Sequence, residues 1–170
     1  MMTSRAEYRL LLRQDNADLR LTEIGYEVGL IPEERYQRLI EKKRQIQEEQ
    51  RRVAAVLFGA SGEIQQFLRE HGSQELRTGT SLEELIRRPE LNYEMLAPMD
   101  RERLELPSDV TEQVEINIKY EGYLKRQEQQ VAHFKKLENR RIPENVDYGD
   151  IPSLRLEARQ KLSQRRPASV

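Results

Sequence analysis

The chain has 170 residues, of which 35% are charged and 36% hydrophobic, against roughly 25% charged in an average globular domain. This composition predicts a thin core and long solvated surfaces, in one domain or two small ones. The 29 basic and 30 acidic residues exclude a simple polycation but allow local basic patches that bind phosphates. Without cysteine the chain has no disulfides or thiolate chemistry, and with no apolar stretch of membrane-spanning length we expect a cytoplasmic protein.

The N-terminal stretch predicts two short helices. A capping box at Ser4–Glu7 predicts a helix that runs to about Arg13. Asp18 is expected to cap a second helix that ends at Gly29. Its inward residues are expected to be Leu19, Ile24 and Val28.

Helical spacing of apolar residues predicts an all-α, irregular helical domain with two long helices, at about 33–57 and 110–137. The first is polar in its middle, so it either projects into solvent or rests on another helix. The second carries two apolar stripes, which indicates cover on more than one side. Within it, Gly122 costs about 1 kcal/mol relative to alanine, and a close helix approach would compensate for that cost.

Shorter elements fill the remaining chain. We expect a helix from Ser61 to Gly72, a loop at 78–80, and a helix that starts at the Ser81 capping box and ends before Pro89. Residues 95–108 are expected to form a connector. A last helix is expected from Ser153 to about residue 166.

An arginine series has a spacing of four and continues beyond a turn: Arg5, Arg9, Arg13 and Arg20. On a helix this spacing places the first three side chains on one face. Guanidinium groups so arranged suit successive phosphates or several acidic partners. The same pattern also describes a solvated face paired with Glu7, Asp15 and Asp18, and both interpretations stay open.

A second candidate mixes aromatic and basic residues at Lys119, Tyr123 and Arg126. Tyrosines stack on unpaired RNA bases while cations hold the backbone, but tyrosines are also ordinary helix-packing residues. Basic clusters at 135–141 and 155–166 are further candidates for nucleic-acid contact, although a charged face is commonly only a solvated one.

Groups suited to catalysis are few in this sequence. His71 and His133 are the only histidines, and neither has a metal-binding partner at helical spacing. The sequence contains no glycine-rich phosphate loop of the dinucleotide-binding or P-loop type. We therefore expect no catalytic, cofactor-binding or metal-binding residues in this chain.

The stretch from Thr3 to Gly25, which contains the arginine series, is a long and specific motif. Further matching segments are Leu85–Tyr93, Glu112–Tyr123, Ile142–Tyr148 and Arg166–Val170. Together they resemble, over the whole chain, the GidA family, also called MnmG, of tRNA uridine 5-carboxymethylaminomethyl modification enzymes.

The resemblance implies a function for the parent protein. Family members are flavoproteins with an FAD and NADH region followed by a helical C-terminal domain. With a GTPase of the MnmE family they add a carboxymethylaminomethyl group to C5 of the wobble uridine in tRNA, and the parent is expected to be a homodimer. The chain then resembles a fragment without cofactor or catalytic residues, whose role is tRNA binding and partner presentation.

The resemblance also implies domain limits and a candidate site. Residues 1–30 would be the tail of the flavin domain, 31–166 the helical domain, and 167–170 the start of a truncated subdomain. The candidate nucleic-acid-binding residues are Arg5, Arg9, Arg13, Arg20, Lys119, Tyr123 and Arg126. The alternative is a purely structural scaffold for protein interaction or dimerisation, without RNA contact.

Overall fold

A computed structural model describes residues 8–138, 140–143 and 145–169. The helical spacing correctly predicted an all-α fold. Within the described residues the helices are α1 (Ala17–Glu27), α2 (Glu33–Ala55), α3 (Gly62–Glu70), α4 (Leu82–Ile86), α5 (Ser108–Glu138) and α6 (Leu156–Arg165). None of these helices has the length and apolar character needed to cross a bilayer.

The chain divides into two compact units, the first ending at Leu124 and the second beginning at Lys125. Helix α5 contributes residues to both. A short 3-10 helix, Tyr148–Asp150, lies in the second unit. In the first unit, β1 (Leu57–Phe58) and β2 (Thr80–Ser81) form a two-stranded antiparallel sheet.

Both long helices are confirmed with almost the predicted bounds. Helix α2 begins after Pro32, whose fixed φ suits a helix start, and has two glutamates in its positive first turn. Although its middle is polar, Ile46, Glu49 and Val53 are buried. Helix α2 therefore rests on other elements, and α1 and α4 pack against it.

The core of the first unit lies where α2, α3, α4 and the first half of α5 meet. Helix α3 contributes Ile64 and Leu68. Helix α5 contributes Val110, Val114 and Ile118, which recur at the spacing of one helical face. The other buried apolar members are Ile46, Val53, Leu76, Leu82, Leu85, Ile86, Leu91, Tyr93 and Leu96.

The N-terminal helix prediction is wrong over the described residues. Residues 8–12 form a turn in which the amides of Leu11 and Leu12 both donate to the Tyr8 carbonyl at 3.0 Å. Residues 1–7 lie outside the described residues, so Arg5 and the Ser4–Glu7 capping box cannot be placed. Without a helix at 8–13, the spacing of four does not align Arg9 with Arg13.

Helix α1 ends near the predicted glycine, and of its three predicted inward residues only Leu19 packs against the core. Gly29 has φ +77°, a left-handed conformation that glycine adopts without strain. The helix packs on α2 through Leu19 and Thr22, so Ile24 and Val28 are 56% and 63% exposed. The prediction that these two residues face inward is therefore wrong.

The predictions for the short elements are confirmed in part. Ser81 caps α4, because its hydroxyl accepts the Glu84 amide hydrogen at 3.2 Å. The expected loop at 78–80 instead ends in β2, which pairs with β1 across a separation of more than twenty residues. Two-residue strands carry no alternating pattern, so periodicity could not reveal them.

The second unit buries few side chains. Among its described residues only Tyr148 is buried, and α6 has no buried residue. Phe134 on α5 is 53% exposed, so cover on both sides is wrong for this part of the helix. In the first unit, a Cβ added at Gly122 would lie within 4 Å of no described atom outside the backbone of its own helix, so a close helix approach is not what compensates for this glycine.

Candidate nucleic-acid interface

Arg13 stabilises the turn that precedes α1. Its guanidinium forms a two-pronged pair with Asp15, with Nε–Oδ1 and Nη2–Oδ2 distances of 3.0 Å, and donates to the Leu10 carbonyl at 2.6 Å. It also lies 5.9 Å from the ring centroid of Tyr120 on α5. Burial would raise the pKa of Asp15, but its hydrogen bond and charge interaction with Arg13 outweigh burial and lower it.

Arg20 belongs to the same turn. Its guanidinium donates to the Asn16 side-chain oxygen at 2.8 Å and to the Arg13 carbonyl at 3.2 Å. The Asn16 amide in turn donates to the Leu11 carbonyl at 3.1 Å. Arg9, by contrast, is exposed. Of the described members of the arginine series, two therefore stabilise the turn and one faces solvent.

Lys42 connects α1, α2 and α5. Its ammonium lies 2.8 Å from Asp18 and 3.0 Å from Asp109. Burial alone would lower the pKa of Lys42, but the two carboxylates outweigh it and raise it. Of the acidic partners predicted for the arginines, Asp15 is confirmed, whereas Asp18 pairs with Lys42 instead.

Lys119 and Tyr123 lie on α5 in different environments. Lys119 is half-buried, donates to the Leu91 carbonyl at 2.6 Å and lies 3.3 Å from Glu115. Tyr123 is 56% exposed. Arg126 is exposed and belongs to the second unit. The candidate residues on α5 therefore differ in exposure: Lys119 is half-buried, whereas Tyr123 and Arg126 are exposed.

A buried charge network in the first unit has no counterpart in the sequence predictions. Glu49 is fully buried, pairs with Arg52 at 2.7 Å and accepts the Tyr93 hydroxyl at 2.7 Å. Arg52 also reaches Asp100 at 2.6 Å. The Arg103 guanidinium lies 4.7 Å from the centroid of the Tyr93 ring. Only the Glu49–Arg52 spacing is visible in the sequence, because Asp100 lies 48 residues beyond Arg52.

The bonds to Glu49 and Asp100 raise the pKa of Arg52 and keep it charged. Burial, reinforced by the hydrogen bond to Glu49, raises the pKa of Tyr93 above its ordinary value of 10.0. The Arg52 guanidinium therefore stays charged and the Tyr93 hydroxyl keeps its proton, as the hydrogen bonds of the network require.

The net charge of -1 on the whole chain is the sum of a negative charge on the first unit and a positive charge on the second. Residues 1–124 contain 18 basic and 24 acidic residues, a net charge of -6. Residues 125–170 contain 11 basic and 6 acidic residues, a net charge of +5. Ten of those 11 basic residues are exposed, and only Arg159 is half-buried. The second unit therefore has the charge that a phosphate-binding surface requires.

Comparison with known proteins identifies the family. Residues 33–128 match the family model described as the tRNA modifying enzyme MnmG/GidA C-terminal helical domain, and residues 130–170 match the MnmG/GidA C-terminal helical bundle. The chain belongs to the MnmG/GidA family. Proteins named tRNA uridine 5-carboxymethylaminomethyl modification enzyme MnmG are 62% identical in Lachnoclostridium phytofermentans and 58% identical in Caldicellulosiruptor saccharolyticus.

Each of these relatives matches all 170 residues, and the chain spans 27% of its length. A solved structure, Aquifex aeolicus GidA in the form II crystal, is 32% identical with a TM-score of 0.63. It covers 97% of this chain, which covers 25% of the GidA chain. The family resemblance read from the sequence is confirmed.

One groove in the first unit has a volume of about 520 Å³ and is lined by Asp15, Asp109 and Glu112 beside Lys42. Those carboxylates would repel a diphosphate. Among the described residues no cluster of three metal-ligating side chains occurs, and His71 binds the Phe67 carbonyl through Nδ1 at 2.8 Å.

Proposed function

We propose that the chain is the C-terminal helical part of a cytoplasmic, homodimeric tRNA-modifying enzyme that uses FAD and NADH. With a GTPase of the MnmE type, that enzyme adds a carboxymethylaminomethyl group to C5 of the wobble uridine. In this proposal residues 1–30 adjoin the flavin region, 31–166 form the helical domain, and 167–170 begin a further subdomain. The family assignment supports the proposal for the parent protein.

The role of the chain itself in this proposal is to bind tRNA, mainly through the second unit. The observation that carries it is the net charge of +5 on residues 125–170, with ten of 11 basic side chains exposed. A surface of this kind binds RNA by replacing counterions condensed on the phosphates. Arg9, Tyr123 and Arg126 are exposed and suited to contact RNA, whereas Arg13, Arg20 and Lys119 position the surrounding backbone.

A salt titration of tRNA binding tests this role. Fluorescence anisotropy of labelled bulk tRNA is measured against the chain between 50 and 200 mM salt. In the double variant Arg155→Ala/Arg165→Ala we expect about a fivefold or greater loss of affinity at low salt. The slope of log affinity against log salt should fall by about 1 to 2, because each phosphate contact contributes roughly 0.7 to 0.9.

The matched control is Arg51→Ala/Arg77→Ala, which removes two exposed arginines from the acidic first unit. It should bind tRNA within about twofold of the unsubstituted chain at every salt concentration, since only phosphate contacts contribute to the slope. Equal losses in both double variants, or no loss in either, would exclude the second unit as the tRNA-binding surface.

The alternative is a scaffold for protein interaction without RNA contact, and the engagement of Arg13 favours it. Because Arg13 holds Asp15 and the Leu10 carbonyl, Arg13→Ala should lower the free energy of unfolding by about 1–3 kcal/mol. Arg9→Ala removes an exposed side chain and should leave stability unchanged. Under the tRNA-binding proposal Arg9→Ala weakens tRNA binding in the anisotropy titration. Unchanged binding, together with capture of an MnmE-type GTPase by the chain, would support the scaffold.

A further inference from the structure

Strand β1 has an outer edge whose backbone groups point away from the sheet. The two strands are antiparallel, with Leu57 opposite Ser81. The residue before Leu57, Val56, accepts the amide hydrogen of Leu82 at 2.8 Å. Because the backbone groups of successive residues alternate between the two edges of a strand, the amide and carbonyl of Leu57 point away from β2. No hydrogen bond outside the β1–β2 pair joins either group to another described residue.

A groove opens beside this edge. Its volume is about 260 Å³, and it is lined by β1, the start of α3 and residues 99–102, whereas β2 contributes none of its lining. Phe58, Ile64 and Met99 supply apolar side chains to the groove, and the Leu57 side chain is 75% exposed. An unpaired strand edge beside apolar pockets is the arrangement to which an extended peptide adds as a further strand.

The local sequence leaves this edge open. Proline and charged side chains are the usual means of blocking a free strand edge, and the segment 56–59 contains neither. Leu57 offers one donor and one acceptor, which suffice for two backbone hydrogen bonds to a single residue of an added strand. Because β1 is only two residues long, the side chains that enter the groove must supply the rest of the affinity.

The charges around the groove indicate the chemistry of its occupant. Glu63 and Glu102 are exposed in its lining and outnumber Arg101, and a third carboxylate, Asp100, is already bound to Arg52. The whole first unit has a net charge of -6. We propose that the outer edge of β1 docks an extended segment of a partner protein, in which apolar side chains alternate with lysine or arginine. The apolar side chains face the groove, and the cations face the acidic surface around it.

The same charges disfavour two other occupants. A second copy of the chain would bring its own first unit, also with a net charge of -6, against this edge. RNA would bring phosphates towards Glu63 and Glu102, whereas its binding requires cations. A basic peptide meets neither obstacle.

A substitution in the backbone of β1 tests the proposal in the 170-residue chain. Leu57→Pro removes the outward amide donor, and edge strands tolerate proline where the missing N–H would face solvent. Val56 has a ψ of 119°, close to the values of about 120° to 160° that a residue before proline adopts. Leu57→Ala is the matched control, because it shortens the side chain and keeps the amide. Circular dichroism and thermal unfolding verify the fold of both variants.

The probe is a fluorescein-labelled peptide of alternating lysine and valine, and its binding is followed by fluorescence anisotropy. We expect Leu57→Pro to weaken binding about tenfold and Leu57→Ala to weaken it less than about threefold, since only proline removes a backbone hydrogen bond. In the unsubstituted chain, saturating peptide should slow hydrogen exchange of the Leu57 amide, observed by NMR, by about tenfold. Equal affinities of the two variants, or an unchanged exchange rate, would overturn the proposal.

If Leu57→Pro does not fold, the peptide itself provides the test. Two further peptides are N-methylated, one at every valine amide and one at every lysine amide, so that each loses the donors of one edge. One of the two should bind the unsubstituted chain about tenfold more weakly than the parent peptide. Unchanged binding of both would contradict strand addition.

The other occupants have distinct signatures in the same measurements. Equal binding of a peptide of alternating glutamate and valine would overturn the requirement for cations. Slower exchange of the Leu57 amide at higher chain concentration without peptide would identify a second copy as the occupant, and slower exchange with bulk tRNA would identify RNA. Either result would overturn the proposal. The inference does not depend on tRNA binding by the second unit, so the salt titration with tRNA can fail while this test succeeds.

Discussion

Glu49 and Asp100 are carboxylates that the fold removes from water, and Arg52 makes this possible. An unpaired buried carboxylate would cost several kcal/mol. The planar guanidinium of Arg52 offers donors in several directions, and it uses them to bind both carboxylates. The Tyr93 hydroxyl satisfies a further lone pair of Glu49 at 2.7 Å. The polar middle of α2 is thereby compatible with a buried position.

The raised pKa of Tyr93 predicts a loss of stability in alkali. Below pH 10 the phenol is neutral in the folded and unfolded states, so its full contribution is present. As pH rises above 10.0 the unfolded state releases its proton first, and folding stability falls. Denaturant unfolding between pH 9 and 11.5 should show this decline. Tyr93→Phe should make the slope shallower while lowering stability at pH 8 by about 1–3 kcal/mol, because Glu49 loses a donor.

Tyr123→Phe changes a tyrosine that is 56% exposed on α5 and is the matched control for that measurement. An alkaline slope that is unchanged in Tyr93→Phe would show that the buried phenol does not titrate with unfolding, and the prediction would be wrong.

The contacts of Arg13 show which interactions of a single residue the sequence could predict. The pairing of Arg13 with Asp15 was one of two interpretations that the sequence left open, and it is confirmed. The helix expected to carry Arg13 was wrong over the described residues, because local helix propensity is a weak prior that tertiary contacts override. Arg13 reaches the Tyr120 ring more than a hundred residues away, which no local pattern encodes.

At the scale of elements, the described surroundings of Gly122 on α5 leave room for a side chain. Since a Cβ at Gly122 meets nothing within 4 Å, Gly122→Ala should raise the free energy of unfolding by about 0.5–1 kcal/mol through helix propensity alone. Thermal or denaturant unfolding of the purified variant measures the gain.

Gly29→Ala is the opposite case and serves as the control. Its φ of +77° is strained for an L residue, although the space around it is open. Alanine there should lower the free energy of unfolding by about 1–2 kcal/mol. If both substitutions shifted stability in one direction, helix propensity and backbone strain would not be the deciding causes.

How accurately the sequence predicted a helix depended on the pattern of apolar residues in that helix. Helices α2 and α5 were predicted almost to their ends, because apolar residues recur at helical spacing along α5 and at both ends of α2, and Pro32 marks the start of α2. Helix α1 was located, but only one of its three predicted inward residues, Leu19, packs against the core. The helix has apolar residues on both sides, and periodicity does not reveal which side the rest of the protein covers. The exposure of Ile24 and Val28 became visible only in the structure, where Thr22 is buried on the other side of the helix.

At the scale of the whole molecule, the unit that contains the buried core carries a negative net charge, and the unit with few buried side chains carries a positive one. The first unit contains the buried apolar cluster and a net charge of -6. The second unit contains one buried residue among those described and a net charge of +5. The sequence showed the basic clusters at 135–141 and 155–166, but the division of charge required the unit boundary. The candidate surface was thus partly predictable, and its extent was not.

This distribution predicts unequal local stability within the chain. Amides in helices with a buried apolar face exchange only through large unfolding events, whereas those in helices without one exchange through local opening. In native-state hydrogen exchange, the amides of Val53, Leu85 and Val114 should exchange on the order of 100-fold more slowly than those of Lys161 and Leu162 in α6. The first three side chains are fully buried, and α6 has no buried residue. Similar protection in α6 and in the core helices would show that α6 is stabilised by more than the contacts described, and would contradict the prediction.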